Sequence, residues 1–251
     1  MKYLKSVILS FFVAPLLWTN TLADTTLTQV INKHTNLSLG IYYDNVSTNT
    51  VISNLPNKQF VGASTTKILT AITVIKFIES GRASYSSPAY KNGPSLQYEL
   101  EQMVNRSNND SWDVLNTFVG WSAIIAQAKS IGMVNYNCNG NLVSAKDDAI
   151  MLQQLYSGKL LNAPNTAKLL EFMQNTNDES LIPPMLPKGS VVYHKYGWLN
   201  NENNHNVLND TAIIIYNKQT IVLTIYTDSL NSSRYTEQVN AIHEIVKSLI
   251  K

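Results

Sequence analysis

The sequence predicts an α+β fold: an antiparallel sheet formed from both chain ends, flanked by helices, with a helical lobe inserted. Three observations predict it. β-rich runs stand near both ends of the chain, helical periodicity fills the middle, and no linker, repeat or low-complexity tract separates them.

In chain order, Leu37 to Tyr43 and Thr50 to Ser53 read as two strands around a turn at Asp44-Asn45. From Ser64 to Ser80 the apolar residues Ile68, Leu69, Ile72, Ile75 and Phe77 recur at helical spacing, and Gly81 stops the run. Leu96 to Met133 reads as short helices, and Lys146 to Tyr156 and Asn165 to Met173 as two more. The period then changes. Val191 to Tyr196, Thr211 to Tyr216 and Ile221 to Thr227 are β-rich, the last two joined by a tight Asn217-Lys218-Gln219 turn. A closing helix carries Val239, Ile242, Val246 and Leu249 as one apolar stripe. The helical lobe, about residues 64–175, is thus expected to be part of a single domain spanning 24–251.

Composition bounds the function. At 44% hydrophobic and 14% charged residues, the 251-residue chain is too apolar and too weakly charged to be disordered. Lys+Arg 19 nearly balances Asp+Glu 17, so no basic field points to nucleic acid. Cys138 is the only cysteine, which excludes an intrachain disulfide and a thiolate cluster. His34, His194, His205 and His243 are scattered without ligand spacing, so neither metal nor cofactor is expected. A monomer acting on a small-molecule or peptide substrate is the expectation.

The first residues carry the charge imbalance. Lys2 and Lys5 precede an apolar run from Val7 to Trp18, and Thr21-Leu22-Ala23 offers small residues for a signal peptidase. The run of 12 is short for a membrane-spanning helix, which needs roughly 20 residues. Cleavage after Ala23 is therefore expected over a retained anchor. It would leave 228 residues, with 17 basic and 17 acidic, in the periplasm or outside the cell.

Three short polar motifs occur in order. Ser64-Thr65-Thr66-Lys67 opens the first apolar helix. With Ser64 in the first helical turn, Lys67 at i+3 shares its face at about 5–6 Å between Cβ atoms. A serine nucleophile with a lysine to take its proton fits this spacing, provided burial or a nearby cation lowers the lysine pKa. So does a helix-capping serine beside a solvated lysine. Ser107-Asn108-Asn109 offers a hydroxyl for proton relay and an amide for a substrate carbonyl, or simply a polar turn, with Asp110 as N-cap of the next helix. Lys195-Tyr196-Gly197-Trp198 ends a β-run. It supplies positive charge, close ligand approach at glycine, and an N–H for an oxyanion. His194 alternates to the opposite strand face and reads as structural.

Together, in this order, the motifs resemble the class A β-lactamase-like branch of the penicillin-recognising serine enzymes, marked by Ser-x-x-Lys, Ser-Asp-Asn and Lys-Thr-Gly. The similarity runs from about Leu37 to the end, through Leu170-Glu171-Phe172-Met173, Leu181-Ile182 and Leu186-Pro187-Lys188-Gly189 to Asn209-Asp210, which is expected to open the strand pair. The resemblance implies that Ser64 is the acylated nucleophile and Lys67 its base. It makes Ser107 the proton donor to the leaving nitrogen and Asn109 the holder of the acyl amide. Lys195 would attract the substrate carboxylate and help lower the Lys67 pKa, and the N–H groups of Ser64 and Trp198 would form the oxyanion hole.

The chain departs from that pattern twice. Class A enzymes carry a loop glutamate that activates the deacylating water, but no glutamate lies between Glu101 and Glu171, and Gly132 to Ser144 is short. Asp147 and Asp148 read as caps of the following helix. Without a positioned base, acylation proceeds while deacylation is slow. The third motif also has Tyr196 where the family has a short hydroxyl, so either the ring turns aside or the pocket takes a different group. The expected function is DD-peptidase-like acyl transfer or hydrolysis on peptidoglycan peptides. A slow β-lactamase and an inactive ligand-binding homologue are the competing readings.

Overall fold

The computed structural model describes residues 20–200, 205–230 and 234–251. Most of the expected signal segment lies outside them, so its processing stays an expectation. Helix α1 (Asn20–Lys33) leads into β1 (Ser38–Asn45), β2 (Thr50–Asn54) and the short β3 (Gln59–Val61). The lobe follows: α2 (Lys67–Glu79), α3 (Leu96–Val104), α4 (Asn109–Val119), α5 (Trp121–Ile131), the short β4 (Leu142–Ser144), α6 (Ala145–Tyr156) and α7 (Ala163–Phe172). Strands β5 (Val191–Asn200), β6 (His205–Tyr216) and β7 (Gln219–Leu230) and helix α8 (Tyr235–Leu249) complete the chain.

The main sheet runs β2-β1-β7-β6-β5, antiparallel throughout. Strands from the two ends meet at β1 and β7, where Ile41 pairs with Ile225. This bears out the α+β expectation, and the period-two pattern explains why. One face of the sheet, through Leu39, Ile41, Leu223 and Ile225, shares a core with Ile242, Ile245 and Val246 of α8. The other face, through Ile213, Val222 and Tyr226, packs against the lobe. A second ladder, β3 with β4, pairs Phe60 with Val143 and brings the Gly132 to Ser144 segment beside the start of α2.

Helix α2 is the centre of the lobe. Every residue from Lys67 to Ile75 is buried, so it is covered on all sides rather than along one stripe. Its buried hydroxyls are satisfied: Thr70 Oγ1 donates to Asn116 Oδ1 at 2.9 Å, and Thr73 Oγ1 to the Leu69 carbonyl at 2.8 Å.

Several local expectations are corrected. The β6–β7 hairpin turns on two residues, Asn217 and Lys218, both with positive φ, and Gln219 is already strand. β1 runs through Asp44 and Asn45, so the first turn comes after them. Asn209 and Asp210 lie inside β6 rather than opening it. Asn108, not Asp110, caps α4, its side chain accepting from the Ser111 N–H at 2.8 Å. Asp147 does close a capping box with Ser144, but Asp148 turns inward and is completely buried.

Candidate active site

Ser64 sits in a tight turn just ahead of α2, not within its first turn. The Lys67 N–H reaches the Ser64 carbonyl at 3.3 Å, and helical pairing starts from there. Ala63, immediately before it, has φ 50, and Ser107 has φ 57. Left-handed backbone at non-glycine residues costs about 1–3 kcal/mol and persists only where surroundings enforce it. Here they do. The Gly62 N–H donates to the Asn141 carbonyl at 2.7 Å, and the Asn141 amide donates to the Ala63 carbonyl at 2.7 Å. Asn209 of β6 donates to the Val61 carbonyl at 2.9 Å.

The three motifs converge. Lys67 Nζ donates to the Ser107 carbonyl and to Asn109 Oδ1, both at 2.7 Å. Lys195 Nζ donates to Ser107 Oγ at 2.9 Å and to the Tyr196 carbonyl at 3.0 Å. Ser107 therefore stands between two buried lysines, one on its backbone and one on its hydroxyl.

Burial sets the charge of both lysines. At Lys67 it pushes the pKa down to about 8, opposed by the charge of Asp113. At Lys195 burial and the charge of Lys67 push it down to about 7, opposed by Asp210 and Asp178. Repulsion between the two ammonium groups acts in the direction expected, against both being charged at once, and burial is the larger cause of the lowering at each.

Gly197 explains how β5 reaches the nucleophile. A Cβ there would lie 2.8 Å from the Gly62 carbonyl oxygen and 2.9 Å from the Ser64 nitrogen. β5 is an edge strand of the main sheet. The His194 N–H points away from β6, donating to the Met173 carbonyl at 2.8 Å. Period-two alternation then turns the N–H of Trp198 outward on the same edge. The strand thus turns outward a donor with no partner among the described residues, one position after the glycine that abuts the Ser64 nitrogen.

Ser64, Asn109, Trp112, Asp113, Asn141 and Trp198 border a cleft of about 340 Å³. Tyr196 is not among its walls. Its hydroxyl donates to Asn177 Oδ1 at 3.1 Å, its ring lies 4.1 Å from Lys195 Nζ, and it lines a neighbouring cleft with Asp178 and Tyr235. The Tyr196 ring thus lies over the Lys195 ammonium and outside the walls of the Ser64 cleft. His194 is buried on the opposite face, with Nδ1 2.9 Å from Asp210 and Nε2 3.0 Å from Glu179. Burial alone would lower its pKa, but the two carboxylates outweigh that and push it up to about 10. No group of three His, Cys, Asp or Glu among the described residues could hold a metal ion.

The family follows from comparison of the whole chain. The sequence model of the Beta-lactamase enzyme family matches residues 22–251. The chain belongs to that family. A curated beta-lactamase of Proteus vulgaris is 24% identical over 270 residues, covering 92% of this chain and 88% of that protein. Solved structures agree in fold. A PBP-A mutant in an acyl-enzyme complex with penicillin G superposes at a TM-score of 0.79 and 19% identity, covering 90% of this chain and 94% of its own. A beta-lactamase from Chitinophaga pinensis reaches 0.81 at 17% identity, with 90% and 97% covered.

Three wall residues, Trp112, Asp113 and Asn141, escaped the sequence, as did Asn209, which holds the nucleophile turn from behind. Trp112 and Asp113 lie three and four positions after Asn109, a helical spacing that would have placed them near its face of α4. Asn141 and Asn209 had no such signal, because the turn and the strand pairing that aim them are long-range.

Proposed function

We propose that this chain is an exported serine hydrolase or acyltransferase that forms an acyl-enzyme at Ser64, with DD-peptidase-like action on peptidoglycan stem peptides. The observation that carries it is the hydrogen-bonded set Lys67–Ser107–Lys195 closing on the turn that presents Ser64. Neutral Lys67 takes the Ser64 proton as Oγ adds to the substrate carbonyl. The negative charge on the carbonyl oxygen faces the N–H groups of Ser64 and Trp198. Ser107 gives its hydroxyl proton to the leaving nitrogen and recovers one from a lysine ammonium. Lys195 attracts the substrate carboxylate, and Asn109 holds the acyl amide. The leaving amine departs, and water or a second amine accepts the acyl group from Ser64.

The acyl-enzyme that the structurally similar PBP-A mutant forms with penicillin G supports this reading. So does the position of Tyr196, which leaves the Ser64 cleft open. Incubation with a labelled penicillin should add one label at Ser64, located by mass spectrometry, and Ser64→Ala should abolish it. A wild-type protein that takes up no label would refute the proposal. A slow β-lactamase shares the same acylation. The relationship to the Proteus vulgaris enzyme favours testing it with a chromogenic cephalosporin, where a single burst marks the penicillin-binding reaction and repeated turnover the lactamase.

A further inference from the structure

The segment Gly132 to Ser144 carries no acid, yet it reaches the nucleophile. Asn141 is clamped there by three contacts. Its side chain donates to the Ala63 carbonyl at 2.7 Å and accepts from Thr66 Oγ1 at 2.7 Å, and its own carbonyl takes the Gly62 N–H at 2.7 Å. One amide proton of Asn141 remains uncommitted among the described hydrogen bonds.

Asp113 supplies what Asn141 lacks. It is the one carboxylate lining the Ser64 cleft among the described residues. It lies one helical turn beyond Asn109, whose Oδ1 takes the Lys67 proton, and its charge is felt at Lys67. Other acids in the region are engaged elsewhere. Asp148 is buried and accepts from Tyr226, Glu179 is paired with His194, and Asp178 lines the neighbouring cleft beside Tyr196.

Building on the acyl-enzyme reading, we propose that Asp113 is the general base of deacylation, holding a water against the Ser64 ester together with the Asn141 amide. The water oxygen bonds to the ester carbonyl carbon while Asp113 takes its proton. The resulting tetrahedral centre collapses, the bond to Ser64 Oγ breaks, and Oγ recovers the proton that Asp113 took from the water, which leaves Asp113 ionised as before. The product carboxylic acid leaves and loses its own proton to solvent. The family's loop glutamate is thus replaced by a carboxylate from a helix.

The electrostatics make the test decisive, because the two half-reactions respond with opposite sign. Asp113 holds the Lys67 pKa up, so Asp113→Asn lowers it further and enlarges the neutral fraction that accepts the Ser64 proton. Acylation of this variant should match or exceed wild type, whereas loss of a general base slows deacylation by at least tenfold. The experiment loads wild type, Asp113→Asn and Asp113→Glu with penicillin G, whose acyl group carries no cation. Intact-mass spectrometry then follows adduct formation and decay, with melting temperatures as the check on folding. Expected is a normal or faster rise and a decay at least tenfold slower for Asp113→Asn, with most of the decay restored in Asp113→Glu. Equal decay in wild type and Asp113→Asn overturns the proposal, as does a wild-type adduct that never decays. Slower acylation with unchanged decay also overturns it, and would assign Asp113 to ligand recognition. A wild type that forms no adduct refutes the acyl-enzyme reading itself, and this proposal with it.

Discussion

Gly197→Ala is the substitution for which the structure sets the clearest expectation. The added methyl would stand 2.8 Å from the Gly62 oxygen and 2.9 Å from the Ser64 nitrogen, with the Ala63 Cβ at 3.2 Å. Ordinary contact begins near 3.4 Å, so β5 or the nucleophile turn must retreat by about half an ångström. No rotamer relieves this, because the two nearest contacts are backbone atoms. Overpacking of this kind costs about 1–3 kcal/mol of stability. The functional cost is larger. An oxyanion donor works over about 2.7–3.1 Å, and the displaced group is the Ser64 N–H itself. Loss of one such donor lowers the rate by about 10²–10³. The assay is the second-order rate of Ser64 labelling by a penicillin, measured well below the melting temperature of the variant. Labelling within threefold of wild type would refute the view that contact between β5 and this turn sets the oxyanion geometry.

Three further outcomes follow from the buried charges. Acylation should show a bell-shaped pH profile, rising as Lys67 neutralises near pH 8 and falling as Lys195 loses its charge near pH 7, with its maximum between the two; a monotonic profile from pH 5 to 10 would contradict these roles. His194 has a folded pKa of about 10 against an unfolded value near 6.5, so its ion pairs stabilise fully below pH 6.5 and lose that contribution as pH rises through 10. Urea midpoints should fall across that window. His194→Leu should flatten the fall and cost about 3–5 kcal/mol at pH 7 by leaving Asp210 unpaired. Asp148 has the opposite origin: burial pushes its carboxyl up to about 7, so its contribution is complete below about pH 4 and gone above pH 7. Asp148→Asn should remove that slope in pH-dependent melting, and an unchanged slope would show that other groups produce it.

Much of the fold was legible locally. The stripe Ile242, Val246 and Leu249 marks the buried face of α8, and the apolar run of α2 ends at Glu79, just before Gly81, as read. Hairpin β6–β7 was legible from its β-rich runs, though not its two-residue turn, since positive φ at Lys218 has no strong sequence signal. The caps failed in an instructive way. Asn108 and Asp110 are both good N-cap residues, and only the path of the chain out of Ser107 chose between them. Asp148 reads as a helix-start acid, yet its partner Tyr226 is 78 residues away on β7, and no local pattern announces such a pair.

The sequence by itself determined the chemistry available: two serines, two lysines, an asparagine and a glycine, with Lys67 and Asn109 opening helices, Lys195 and Gly197 on a strand, and Ser64 and Ser107 in the turns just ahead of those helices. The periods of 3.6 and 2 that reveal those elements arise from neighbouring residues, so they are readable along the chain. Only the tertiary structure decided that Lys195 would reach across 88 positions to Ser107, that Tyr196 would turn toward Asn177, and that Asp113 and Asn141 would border the cleft at Ser64. Those relations depend on how buried faces pack, and burial is settled by the whole chain. The same packing lowers the pKa values of Lys67 and Lys195, so the candidate base exists only in the folded protein.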